Sequence, residues 1–164
     1  MRSTIATCAQ GDPRLEVMFG DIRDKRACTE AVRGVTAVFH LAAMSKVKPS
    51  LSDVRIATFC AENNAVGTAN ILEAAAREPG VRKVVYAASS TVYGNQASPQ
   101  HEDLPFSPSS PYAATKYMGE LEMSTWDEVY SLPTVSCRFF MVYGPRQPST
   151  GTCTSREGRG GCIP

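Results

Sequence analysis

The chain has 164 residues, enough for one domain, of which 43% are hydrophobic and 20% charged, with a formal net charge of +1. That balance leaves no electrostatic footprint for nucleic acid and no polybasic segment for an anionic membrane surface, so binding to either is disfavoured. No apolar run reaches the roughly 18 residues that span a bilayer, and a soluble globular class is expected.

In chain order, Leu15-Glu16-Val17-Met18-Phe19 reads as a short strand. Asp24 is placed to cap a helix running through Ala31 and Val32, and Gly34 is placed to end it. Ala37-Val38-Phe39 is an uninterrupted apolar run, the pattern of a strand buried on both faces of a parallel sheet. The next helix carries Ala65, Ala69, Leu72 and Ala76 on one stripe, small enough to lie close to a sheet. Lys83-Val84-Val85-Tyr86-Ala87 follows as a strand that delivers Ser89 at its carboxyl end, where open α/β sheets bind ligands. Residues 95–108, with Pro99, Pro105 and Pro108, form a loop. A helix runs from Pro111 toward Trp126 and Tyr130, and after Pro133 comes the strand Val135 to Phe140. From Ser149 the sequence has no apolar face at any period, which makes 149–164 an irregular tail and 1–148 the folded unit.

Cys8, Cys28, Cys60, Cys137, Cys153 and Cys162 are scattered without Cys-x-x-Cys spacing or a nearby pair of histidines. That predicts free thiols in a reducing cytoplasm and no metal site. The first ten residues hold Arg2, Ser3, Thr4 and Thr7 and no acid, a faint likeness to a transit peptide set against the cytoplasmic expectation.

Tyr112 and Lys116 carry the chemistry most directly. Ser110 suits an N-cap and Pro111 the first helical position, so both side chains fall on one helix face one turn apart. A phenol beside an ammonium is a tunable acid/base: at about 4 Å in a partly desolvated site the charge is worth at most about 4 kcal/mol, or about 3 units on a tyrosine pKa near 10. The motif alone is weak, since such a pair is usually a helix surface pair.

Its company is stronger. Asp21-Ile22-Arg23-Asp24, His40-Leu41-Ala42-Ala43, Asn64-Ala65-Val66-Gly67-Thr68 and Ala87-Ala88-Ser89-Ser90-Thr91-Val92-Tyr93-Gly94 precede it, and Arg138-Phe139-Phe140-Met141-Val142-Tyr143-Gly144-Pro145-Arg146-Gln147 comes after it. This ordered series, from Leu15 to Gln147, resembles the extended short-chain dehydrogenase/reductase family, and within it the NAD-dependent nucleotide-sugar epimerase/dehydratases of the UDP-glucose 4-epimerase kind. The resemblance implies an α/β fold, a partial Rossmann-like doubly wound parallel sheet, with NAD as cofactor and a nucleotide sugar as substrate. It implies that Ser89, Tyr112 and Lys116 are catalytic, with Ser90 and Thr91 as the adjacent alternatives to Ser89. It further implies that Asp21 and Ile22 meet the adenine, that Leu41, Ala42, Ala43, Asn64 and Phe139 line the cofactor, and that Tyr112 and Lys116 touch it as well. His40 reads as a satisfied structural histidine.

Two departures from the family pattern matter. A glycine-rich strand-turn-helix is not found, since Gly11, Gly20 and Gly34 are too widely spaced and Gly158, Gly160 and Gly161 follow no strand. The sequence therefore resembles the middle of such an enzyme, without its opening glycine motif and its C-terminal sugar-binding domain. Met141 stands where the family commonly has an asparagine that contacts the nucleotide sugar, and a thioether cannot replace an amide donor. A dehydratase would be expected to carry an Asp-Glu pair just after the catalytic Ser/Thr, which Ser90-Thr91 does not supply, so the resemblance favours an epimerase. Dehydratase and decarboxylase relatives, and a non-catalytic remnant or interaction module, are the alternatives. Homodimerisation through the helix bearing Tyr112 is the expected assembly.

Overall fold

Three apolar segments that end on the candidate residues form the sheet: β1 (Ala37–His40), β2 (Lys83–Ser89) and β3 (Thr134–Phe139). They pair in parallel in the order β1-β2-β3 in the computed structural model, which describes residues 12–45 and 47–144. His40 lies opposite Tyr86, and Ser89 opposite Phe139. Among the described residues the α-helices are α1 (Lys25–Val32), α2 (Val47–Ser52), α3 (Val54–Ala61), α4 (Gly67–Arg77) and α5 (Pro111–Tyr130).

Parallel strands added in one direction, each through a right-handed crossover, place their helices on the same side. On that side Leu72 and Ala75 of α4, Met123 of α5 and Leu132 close over Val84, Tyr86 and Ala88 of β2. The other side is open, with Phe39 69% and Val135 40% exposed. The expectation that Ala37 to Phe39 is buried on both faces fails for this reason. Leu15 to Phe19 likewise forms no strand, and Leu15, Val17, Met18 and Phe19 are exposed.

Local signals explain the helix ends. The Asp24 carboxylate accepts from Arg26 N, and Gly34 adopts φ 72° just past α1, where only glycine is unstrained. Asp53 caps α3 through Arg55 N, and Ser110 caps α5 through Ala113 N at 3.0 Å with Pro111 in the first turn. Helices α2 and α3 have no counterpart among the elements expected from the sequence. They lead into a π turn, Glu62–Val66, which opens directly into α4.

The stripe expected on α4 is buried in part: Ala65 and Leu72 are buried, Ala69 is half-buried and Ala76, one residue from the helix end, is exposed, while Asn64, Thr68 and Ala75 are buried as well. A second buried set faces α1, where Ile71 and Ala74 pack with Cys28, Val32 and Ile22. Gly67 makes this approach possible, because a Cβ there would meet Ile22 Cδ1 at 2.6 Å.

Glu122 of α5 is a charged group in an unfavourable place. Its Oε2 is buried with no hydrogen bond among the described residues, and burial pushes the carboxyl up to about 7. The folded chain therefore holds this proton to about pH 7, whereas the unfolded chain releases it near 4.5. The group's favourable contribution is complete below pH 4.5 and is lost as pH rises through 7. Glu122→Gln is accordingly expected to raise the melting temperature at pH 8 and leave it nearly unchanged at pH 4.5, by circular dichroism. Equal shifts at both pH values would show that the carboxyl is not desolvated.

Candidate active site

The carboxyl ends of the three strands bring Ser89, Phe139 and the stretch after His40 to one edge of the sheet. Helix α5 starts above this edge. Ser89 and Tyr112 are each 8% exposed and Lys116 3%, so the three polar side chains are held in a largely dry setting.

Ser89 ends β2 and caps the 3-10 turn Ser90–Tyr93, its Oγ accepting from Thr91 N at 3.3 Å and from Thr91 Oγ1 at 2.9 Å. With its oxygen serving twice as acceptor, its own hydrogen is left to donate. Burial pushes the Tyr112 phenol above its ordinary pKa, and the Ser89 hydroxyl acts against that rise. Thr91 thus supports the Ser89 hydroxyl.

Lys116 behaves differently from the expected phenol-lowering charge. Its Nζ donates to Ala87 O at 2.8 Å and sits 4.7 Å from the centre of the Tyr86 ring. Burial pulls its pKa down to about 8. With the ammonium turned to β2, the free chain shows Tyr112 raised by desolvation, and Ser89 is what favours the phenolate. Burial is the leading cause of both shifts, raising the phenol and lowering the ammonium.

Asn64 is a tie between three elements. Its amide donates to Met44 O at 3.0 Å and to Thr115 Oγ1 at 3.0 Å, and its oxygen accepts from Met44 N at 2.8 Å. The segment after β1 that contains Leu41, Ala42 and Ala43 is thereby pinned to α5, whose Thr115 in turn donates to Tyr112 O at 2.8 Å. The π turn leaves the Asn64 carbonyl to be satisfied by the Thr68 hydroxyl, which accepts from His40 Nε2. Burial and the Lys116 charge hold His40 down to about 4, so it is a neutral, doubly engaged imidazole.

The other end of the expected cofactor site is arranged differently. Asp21 accepts from Arg23 N at 2.9 Å and from Arg23 Nη2 at 2.7 Å, and the pair holds its carboxyl down to about 2. Ile22 turns inward onto Gly67, and its carbonyl is held by Asn70 Nδ2 at 2.9 Å and Cys28 Sγ at 3.2 Å. Its side chain is half-buried against this cluster. A cavity of about 200 Å³ lies beside it, lined by Met18, Phe19, Asp21, Cys28 and Ile71 among others. A larger groove of about 440 Å³ runs along β3 past Glu120, Asp127 and Glu128, on residues other than the Ser89, Tyr112 and Lys116 set.

Beyond the expected residues, Arg138 organises the region around the active-site loop. Its Nε donates to Glu120 Oε2 at 2.9 Å, and its Nη1 donates to Tyr93 Oη at 3.0 Å and Glu102 O at 2.8 Å. The guanidinium also lies over Phe106 at 4.5 Å, and Phe106 stacks on Tyr117 at 3.9 Å. A charged residue in the middle of a predicted strand was the available signal. Met141 is 62% exposed, Phe139 46%, and Pro145 to Gln147, the three outer cysteines and the tail from Ser149 lie outside the described residues. Cys28, Cys60 and Cys137 are free thiols, and no cluster of three His, Cys, Asp or Glu side chains among the described residues could hold a metal. No helix among them is long and apolar enough to cross a membrane.

Comparison with known proteins gives a consistent picture. A profile of the NAD dependent epimerase/dehydratase family matches residues 2–156. The chain is 45% identical over 116 residues to UDP-glucose 4-epimerase of Mycolicibacterium smegmatis, covering 70% of this chain and 36% of the relative. It is 42% identical over 112 residues to UDP-glucuronate 4-epimerase of Thermodesulfobacterium geofontis, covering 68% and 33%. Among solved structures, dTDP-glucose 4,6-dehydratase of Streptomyces venezuelae with NAD bound superposes with a TM-score of 0.85 at 34% identity, over 94% of this chain and 47% of that one. The chain spans about a third of the length of the curated relatives it matches.

Proposed function

The chain belongs to the NAD-dependent epimerase/dehydratase family, and from that premise we propose that it carries the proton-transfer centre for NAD-dependent epimerisation of a nucleotide sugar of the UDP-glucose/UDP-galactose type. The observation behind this reading is the Ser89–Tyr112 hydroxyl pair, buried at the carboxyl edge of the sheet with Lys116 one helical turn behind.

The donor set fits the nicotinamide-ribose end of a dinucleotide. Lys116 would donate to the ribose hydroxyls from an ammonium that uses one hydrogen on Ala87 O. Ser89 orients a sugar hydroxyl, and Tyr112, as phenolate, takes its proton. When bound, NAD supplies the acceptor and later donor of hydride. Loss of a carbinol hydride needs simultaneous loss of the hydroxyl proton, so one base suffices for oxidation, and the same phenol returns the proton on reduction. Reduction from the opposite face of a turned keto sugar inverts one carbon. Ser90 and Thr91 supply no carboxylate to expel a neighbouring hydroxyl as water, which supports epimerisation over dehydration. Homodimerisation through α5, whose Met118 and Leu121 are exposed, belongs to the same proposal and is read by light scattering.

The adenine and pyrophosphate ends fit less well. Ile22 is half-buried against α1 and α4, Asp21 is engaged by Arg23, and no glycine-rich turn opens a helix among the described residues. The isolated chain is therefore expected to bind NAD with a dissociation constant weaker than about micromolar in titration calorimetry. A micromolar or tighter constant would place the main cofactor contacts on residues other than Ser89, Tyr112 and Lys116.

A further inference from the structure

We propose that Tyr86 is a positioning residue for Lys116, its ring forming a seat under the ammonium that, with the Ala87 carbonyl, fixes where the lysine can reach. The inference rests on the active-site reading for its functional meaning, but its geometry stands independently.

Tyr86 is fully buried in β2, with its ring centre 4.7 Å from Lys116 Nζ, while Ala87, the next residue on the same strand, accepts from that nitrogen at 2.8 Å. An ammonium is thus held by two adjacent strand residues, one through a hydrogen bond and one through a π face. On the other side of this packing, the His40 ring lies 5.5 Å from the Tyr86 ring and is kept neutral by burial, so it does not compete for the position with a second charge. The titratable groups about this seat are His40, kept neutral, Tyr112 one turn back and Glu120 one turn on along the lysine's own helix, and Glu122, which also acts on Tyr86.

The seat is built at a cost that a core tyrosine would ordinarily avoid. Tyr86 Oη is buried without a hydrogen bond of ordinary geometry among the described residues, because the nearby Thr68 hydroxyl is already shared by His40 and the Asn64 carbonyl. Helix α5 makes room for the ring with Gly119, where a Cβ would meet Tyr86 Cζ at 2.6 Å and Cε1 at 2.9 Å. Gly119 follows Lys116 by three residues, so the residue that admits the ring and the residue that rests on it share one helix face. Removal of water strengthens a cation–π contact, and this one is 3% exposed on the lysine side.

The test tracks the ammonium itself in the 164-residue chain, by 13C NMR titration of the Lys116 Cε resonance. Tyr86→Phe keeps the π face and removes the unpaired hydroxyl, and it should leave the Lys116 pKa near about 8 with stability unchanged or raised. Replacing Tyr86 by pentafluorophenylalanine keeps the ring's shape but removes its negative face, and should lower the Lys116 pKa by about one unit. Partly fluorinated phenylalanines should fall between the two. A Lys116 pKa that stays constant across this isosteric series would overturn the proposal, leaving Tyr86 as packing alone. Because the readout needs no turnover, its failure is distinct from a failure of the catalytic reading, which is tested at Tyr112.

Discussion

Tyr112→Phe is expected to lower interconversion of UDP-glucose and UDP-galactose by about 10²-fold or more when this chain is joined to the flanking segments of a relative such as the M. smegmatis 4-epimerase. That factor corresponds to about 2.7 kcal/mol of lost transition-state stabilisation. The substitution removes one oxygen from a side chain that is 8% exposed and leaves the ring, its helix and the Asn64–Thr115 tie in place. Folding should barely change. The pH profile is the more specific readout: a base must be ionised, so kcat/KM of the parent rises as pH passes through the phenol's pKa, and that limb should vanish in the variant. Near-full activity with an unchanged profile would place the base elsewhere and end the reading built on α5.

Arg138→Met should cost about 3 kcal/mol of stability in urea denaturation, the scale for breaking one partner of a largely buried ion pair. The guanidinium side chain is 18% and the Glu120 side chain 9% exposed. Burial already pushes the Glu120 carboxyl up against the pull of Arg138, so loss of its partner would push it up further. The same change releases Tyr93 and the Glu102 carbonyl, and with them the loop that joins the turn after Ser89 to α5. Hydrogen exchange should therefore accelerate first at 94–109. A loss below about 1 kcal/mol would show that the aromatic contacts with Phe106 and Tyr117, not the ion pair, hold this loop.

Much of the site was legible because it rests on short-range chemistry. Ser110-Pro111 fixes the start of α5, and with it the relative placement of Tyr112 and Lys116, within a single helical turn. The strand ending at Ser89 was likewise readable from an apolar run and the turn after it. What escaped the sequence depends on groups far apart in the chain. The direction of the Lys116 ammonium is set by Tyr86 and Ala87 on another element, and the Tyr112 pKa by how much water the assembled fold excludes. Ile22 packs closely on α4 because Gly67, a distant residue, leaves room for it. The π turn at Glu62–Val66 is marked by no composition rule, and its extra residue changes the azimuth only between the residues before it and α4.

The one-sided layering of helices has a practical meaning for anyone handling the polypeptide. Phe39, Val135 and Phe139 present an apolar strip to solvent on the uncovered side of β1 and β3, and such a strip lowers the free energy of any species that covers it, detergent and chaperone included. Loss of material during purification will then follow concentration and temperature as a colloidal process, with warming strengthening the attraction while the folded layer beneath is still intact.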